Sequence, residues 1–264
     1  MVTWRAFRAL VRIGWRESLE YRAESLIWML TGALPLFIMA VWISAAGSGA
    51  IRGYTAAGFA GYYVASLAVR QFTAAWIVWD MDEDMRQGRL SFHLLRPIDP
   101  IWHYFVRGMQ SKQMRLPPLL AALVVVALVV PGVRYEGTPL VLAVFAASLG
   151  LGYVLSFLLT YLVGIAGFWT TSTLSIYQWF FLLSSFFSGY LLPISLMPGT
   201  LGKLAAVLPF RWTVAFPIDV LSGRATGTAL LGGLALQCAW CAGCWLVVRL
   251  AWWQGLRRYA AVGG

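Results

Sequence analysis

"PLVLAVFAASLGLGYVLSFLLTYLVGIAGFWTTSTLSIYQWFFLLSSFF" occupies residues 139–187, and charged side chains are absent from Pro139 through Gly202. A helix crossing a hydrocarbon core about 30 Å thick needs roughly 20 apolar residues. The stretch is too long for one crossing and long enough for two. Its most polar interior point is "FWTTSTLS" (168–175), where a turn between two spans is expected. That reading sets the class: an all-α, polytopic membrane protein.

Working outward, further apolar runs cover about 25–46, 54–79, 116–133 and 228–252, for six transmembrane helices in all. The first is longer than a signal peptide's apolar core of about 7–15 residues and is expected to remain as an anchor. Before it, Arg5, Arg8, Arg12 and Arg16 fall within an arc of about 80° at helical spacing, opposite Trp4, Phe7, Leu10 and Val11. Residues 1–24 thus read as an interfacial helix in the headgroup layer, or more plainly as a basic N-terminus that sets orientation. Between spans five and six, residues 188–224 are apolar but broken by Pro193, Pro198, Pro209 and Pro217. Proline disrupts helix interiors, so short re-entrant helices on the outer side are expected there. No repeat or soluble domain is apparent, and residues 1–264 read as one transmembrane domain.

Composition agrees. The chain is 60% hydrophobic and 11% charged, against about 25% charged in soluble domains. Its net charge of +10 does not signal nucleic acid, because the basic residues flank apolar runs as the positive-inside rule expects. With six crossings and both termini cytoplasmic, the inner segments hold fourteen of the twenty basic residues. The exception is the 168–175 turn, which belongs inside yet has no Lys or Arg. The implied location is the plasma (inner) membrane.

The longest non-membrane piece is the charged segment 80–115. Gly88 suits a helix stop. "LSFHLLR" (90–96) then reads as a short helix ended by Pro97, displaying Phe92, His93, Leu94 and Leu95. Asp99 followed by Pro100 reads as a helix start, a capping side chain before a proline at the first position. Such an exposed apolar knob suits a groove on a partner, or a loop resting on lipid headgroups.

"RQGRLSFHLLRPIDP" (86–100) resembles the signature of permease subunits of the type-two ATP-binding-cassette exporter family. "LPFRWTVAFPIDVLSG" (208–223) is similar to the segment that family carries between its fifth and sixth spans. The resemblance implies a coupling helix seated in a cleft of a separate nucleotide-binding subunit, a role that maps here to Leu90, Ser91, Phe92, His93, Leu94, Leu95 and Arg96. Asp80, Asp82, Glu83 and Asp84 would lie at the same interface, facing basic residues of the partner. It also implies two copies of that ATPase, a second permease of the same or a related kind, and ATP with Mg on the partner. An amphipathic or lipid-like substrate would move outward through the pair.

This chain has no phosphate-binding loop of its own. The motif needs G-x-x-x-x-G-K-[ST], and neither Lys112 nor Lys203 closes one. "LSGR" (221–224) lies on the outer side and is set down to chance.

No catalytic residue, cofactor or metal site is expected. His93 and His103 have no further ligands at suitable spacing. Cys238, Cys241 and Cys244 lack a fourth cysteine and spread over about 120° of a helix, so they read as small buried thiols. Arg70, about ten residues from the inner end of its span, either lines a translocation path and contacts an anionic part of the substrate or bonds neighbouring backbone carbonyls. A secondary carrier or an intramembrane enzyme would need acidic or His groups at depth, and the six spans offer none.

Overall fold

A computed structural model describes residues 34–110 and 112–259. The expected interfacial helix (1–24) and the first part of span one (25–33) lie outside the described residues. In chain order, α1 (Leu34–Ala46) leads into a two-residue-per-strand hairpin, β1 (Ala50–Ile51) and β2 (Tyr54–Thr55). Then come α2 (Ala56–Thr73), α3 (Val78–Arg86), α4 (Leu90–Leu94), α5 (Pro100–Gln110) and α6 (Lys112–Val129). α7 (Pro139–Ile165) continues as a 3-10 turn, Ala166–Phe168. α8 (Thr173–Phe187), α9 (Gly199–Val207), α10 (Ala215–Leu221) and α11 (Thr228–Leu256) complete the fold.

Among the described residues, Pro139–Phe168 and Thr228–Leu256 are long and apolar enough to cross a membrane. α7 is the central post. It packs against α11, α2, α10, α8 and α3. α11 is the opposite case, with Leu231, Leu236, Leu246, Leu250 and Trp253 exposed along it. An apolar helix left open over that much surface suits a hydrocarbon solvent rather than water. The cysteines follow this helix: Cys241 and Cys244 are half-buried, but Cys238 is exposed. The expectation of three buried thiols is corrected for Cys238, because α11 turns that face away from α7.

The 54–79 run is not one continuous helix. α2 ends at Thr73, and residues 74–77 leave the helix, with Ala74 extended, before α3 begins. Buried Lys112 donates to the carbonyl of Ala74 at this break, and its ammonium lies 4.7 Å from the Tyr153 ring centre. Backbone released from a helix at membrane depth must find partners in the protein. Hydropathy read across the break because residues 74–77 are themselves apolar.

The proline-broken segment obeys the same rule. It folds as 3-10 turns (Ile194–Leu196, Pro209–Thr213) alternating with α9 and α10. Tyr62 Oη donates to the carbonyl of Gly189 (2.7 Å), Tyr63 Oη to Leu191 (3.0 Å) and Ser66 Oγ to Tyr190 (3.3 Å). From α11, Gln237 Nε2 donates to the carbonyls of Trp212 (2.7 Å) and Ser148 (3.1 Å). A Cβ on Gly233 would collide with the Phe216 ring, so glycine there lets α11 lie against α10, as small residues do between membrane helices.

Side-chain bonds sort the connections to two ends. At one end, Arg52 donates to the carbonyls of Leu196 and Met197, and the Glu136 N–H donates to Leu221. At the other, Arg86 donates to the carbonyl of Thr171 (2.6 Å), Arg249 pairs with Asp99, and Ser91 lies 3.2 Å from Tyr259 Oη. The 168–175 turn, which lacks a basic residue of its own, thus receives Arg86 from α3. Each end has its own core. Below the second end, Ile77, Met81, Tyr104, Phe157, Tyr161 and Trp252 pack together.

Candidate functional site

The charged segment folds into three short helices because its punctuation says so. α3 ends at Arg86, and Gly88 takes φ +69°, a left-handed turn that glycine adopts without strain. α4 follows. Pro97 stops it, and Asp99 then caps α5: its Oδ1 accepts from the Ile101 N–H at 3.1 Å, with Pro100 at the first helical position. A five-residue helix is not stable alone. α4 is held from inside by Leu90, 1% exposed among Ile77, Met81 and Tyr104.

It is also held by charge. Asp84, on α3, accepts from Arg89 Nε (2.8 Å), from Tyr104 Oη on α5 (2.9 Å) and from His93 Nε2 on α4 (3.2 Å). One buried carboxylate therefore joins all three helices. Burial opposes its ionisation, but the hydrogen bonds from Arg89 and Tyr104 and the nearby His93 outweigh it and hold the carboxyl below its ordinary range. Around it Asp82 pairs with Arg86 (2.7 Å), Glu83 with Arg89 (3.2 Å) and Asp80 with Arg107 (3.0 Å). Burial lifts the Asp80 carboxyl, and Arg107 offsets part of that rise.

What remains on the outside is apolar. Phe92 is 66% exposed and Leu95 83%, with Leu94 and Arg96 exposed beside them. The knob expected at Phe92, Leu94 and Leu95 is present. His93 is corrected: its imidazole turns inward, drawn by Asp84. Asp82 and Asp84 are likewise buried, so of the expected acidic face only Glu83 stays well exposed. Their cationic partners lie within this chain. Asp82 and Arg86 form an i,i+4 pair within α3 that spacing does offer. Arg89 is hidden from it, because it folds back across the Gly88 turn onto the preceding helix.

The turn at Gly88 also brings together residues that the sequence holds apart. Asp84, His93 and His103 offer ligand atoms within 4.8 Å of one another. The expectation that nothing lies near the two histidines fails here, since the third group comes from another helix. The imidazole rings lie 4.3 Å apart, centre to centre. Burial, with His93 and Arg107 adding to it, pushes His103 down to about 4, and burial lowers His93.

The His103 shift has a sign that can be tested. An imidazole whose folded value lies below its ordinary one near 6.5 stabilises the fold fully above that value. The contribution is lost as pH falls towards the folded value. Thermal stability of EDTA-treated protein is expected to fall between pH 6.5 and about 4. Scanning unfolding of the His103→Gln variant over that range is the check, and its slope is expected to be shallower.

Arg70 lies on the last turn of α2, away from this segment. Its guanidinium carbon sits 5.3 Å from the Tyr190 ring centre and 5.6 Å from that of Phe181. Among the described ion pairs none includes it. It lines a narrow cleft with Ser156, Thr160, Tyr177 and Ser184. Aromatic faces hold it, rather than the backbone carbonyls weighed above.

A family model described as "ABC-2 family transporter protein" matches residues 27–263. No curated protein and no solved structure matches the chain.

Proposed function

The chain belongs to the ABC-2 transporter family, and from that premise we propose that this membrane permease works as an exporter subunit driven at α4 by a separate ATPase. The observation that carries the reading is the exposed apolar surface of Phe92, Leu94 and Leu95 on a helix otherwise locked in place. A short rigid lever with an apolar tip transmits force; a loose loop resting on lipid does not need Asp84 beneath it.

In this reading the α4 end is cytoplasmic, both termini lie inside the plasma (inner) membrane, and the chain crosses six times. The Arg86 bond to Thr171 supports that topology, since it draws the uncharged turn to the basic end. Two ATPase copies bring ATP and Mg, and a second permease, the same or related, completes the pathway. The permease carries no ATPase site of its own.

At the opposite end, a cavity of about 830 Å³ is walled by Trp212, Phe216 and Tyr54. It also holds Asp219, which pairs with Arg211 at 3.6 Å, and Arg224, whose guanidinium lies 3.5 Å over the Tyr54 ring centre. An apolar lining with a net positive edge supports an amphipathic substrate with an anionic part.

Co-expression with the nucleotide-binding subunit, reconstitution in liposomes and an ATP-dependent transport assay test the proposal. A stable complex whose ATPase rate responds to the permease supports it. Transport that proceeds without nucleotide supports a secondary carrier instead. Within the same assay, Arg70→Leu is expected to lower transport by about tenfold or more while the complex still assembles, because a hydrogen bond from the guanidinium to an anionic part of the substrate contributes about 1.5–3 kcal/mol. Unchanged transport would remove Arg70 from the pathway.

A further inference from the structure

We propose that Asp84, His93 and His103 form a binding site for a divalent first-row transition ion, Zn²⁺ or Co²⁺, that clamps α4 to α3 and α5. The donor set is two imidazoles and one carboxylate. That combination suits borderline ions such as zinc and cobalt, and it fits Mg²⁺ or Ca²⁺, which take oxygen ligands, poorly.

The spacing is nearly right as it stands. Zn–N and Zn–O bonds of about 2.0–2.2 Å in a tetrahedron put neighbouring ligand atoms about 3.3 Å apart. His93 Nε2 and Asp84 Oδ2 are 3.2 Å apart. The third ligand atom lies within 4.8 Å of the others, so closing the triangle takes a shift of about 1.5 Å, within reach of a side-chain rotation.

The ion would take the place of the proton that His93 Nε2 shares with Asp84 Oδ2. The ring's other nitrogen, Nδ1, is buried without a hydrogen bond and would then carry the imidazole N–H.

Charge does not forbid an ion. The charged groups that act on the two imidazoles are Asp84 within the cluster and Arg89, Arg96 and Arg107 beside it. Two of these arginines are already paired with carboxylates, Arg89 with Glu83 and Asp84 and Arg107 with Asp80. Three protein ligands leave one position open, as in regulatory and catalytic zinc sites rather than closed structural ones. Because the ligands come from three helices, an ion would fix the lever's angle relative to the bundle.

The test uses the full chain in detergent, with Cys238, Cys241 and Cys244 replaced by Ser so that thiols do not compete. It is titrated with Co²⁺ and then Zn²⁺. The expected result is one ion per chain, with Co²⁺ giving the intense visible absorption of a low-coordinate site that Zn²⁺ displaces. His93→Ala and His103→Ala are each expected to weaken binding by at least about tenfold. Arg134→Ala, on an exposed loop outside the charged segment, keeps wild-type affinity.

No saturable binding at about 100 μM Zn²⁺, or unchanged binding in the double His93→Ala/His103→Ala chain, overturns the site. A readout on the unsubstituted histidines guards against misfolded variants. Saturating Zn²⁺ is expected to protect both imidazoles from diethyl pyrocarbonate, and full modification under those conditions overturns the proposal. None of these measurements needs the ATPase, so failure here is separate from failure of the exporter reading.

Discussion

Replacing Phe92 and Leu95 together by Asp is expected to abolish ATPase capture and transport while leaving the permease folded. The two side chains are the most exposed apolar groups on the charged segment, and neither belongs to the core beneath it. Burying a Phe or Leu stabilises an interface by about 1.5–3 kcal/mol. Losing both removes about 3–6 kcal/mol, a factor of roughly 10² to 10⁴ in affinity. The introduced carboxylates add a desolvation cost in any apolar cleft. Arg96→Ala is expected to do much less, because a rim charge mainly alters association rate and salt dependence. Affinity of the purified subunits is measured directly, by surface capture or calorimetry, alongside the thermal stability of the permease alone. Wild-type affinity for the doubly charged variant would mean that α4 does not enter the ATPase.

The contrast with Leu90 makes the experiment specific. Leu90 belongs to the same short helix but faces the core. Its truncation destabilises the permease itself, by about 2–5 kcal/mol for a buried leucine cut to alanine. A helix whose inner and outer faces fail in different assays is a lever; one whose faces fail together is only part of the core.

The sequence spoke most clearly where punctuation and hydropathy act locally. Gly88, Pro97, Asp99 and Pro100 each restrict the backbone within one or two residues, and α3, α4 and α5 begin or end beside them. The turn at 168–175 was legible because Thr170, Thr171 and Ser172 interrupt an otherwise apolar run. The break at 74–77 was not. Its backbone is satisfied by Lys112, a residue from another helix, and no local rule reports a partner 38 positions away. The inward turn of His93 was hidden for the same reason. It depends on Asp84, nine residues earlier and on the far side of the Gly88 turn. Spacing arguments treat a helix as a straight rod, and here the rod folds back.

Asp84→Ala is expected to uncouple the machine from within. The carboxylate accepts from Arg89, Tyr104 and His93 at once. Removing it strands a guanidinium, a buried phenol and an imidazole whose other nitrogen already lacks a partner. Taking one member from a buried charged cluster costs about 3–5 kcal/mol. Arg89 is partly exposed and recovers some of that by turning to Glu83 and solvent, so the lower end of the range is expected. The cost falls on the joint between α4 and its neighbours, not on the α7–α11 interface. Membrane insertion is therefore expected to persist, while α4 backbone amides lose protection in hydrogen exchange. The ATPase is expected still to dock on Phe92 and Leu95 but to hydrolyse ATP with little transport. Asp84→Asn keeps the shape and two acceptor lone pairs but not the charge, and is expected to fall between wild type and alanine. If α4 protection in the alanine variant equals that of the wild type, Asp84 is not the joint, and the rigidity of the lever has another source.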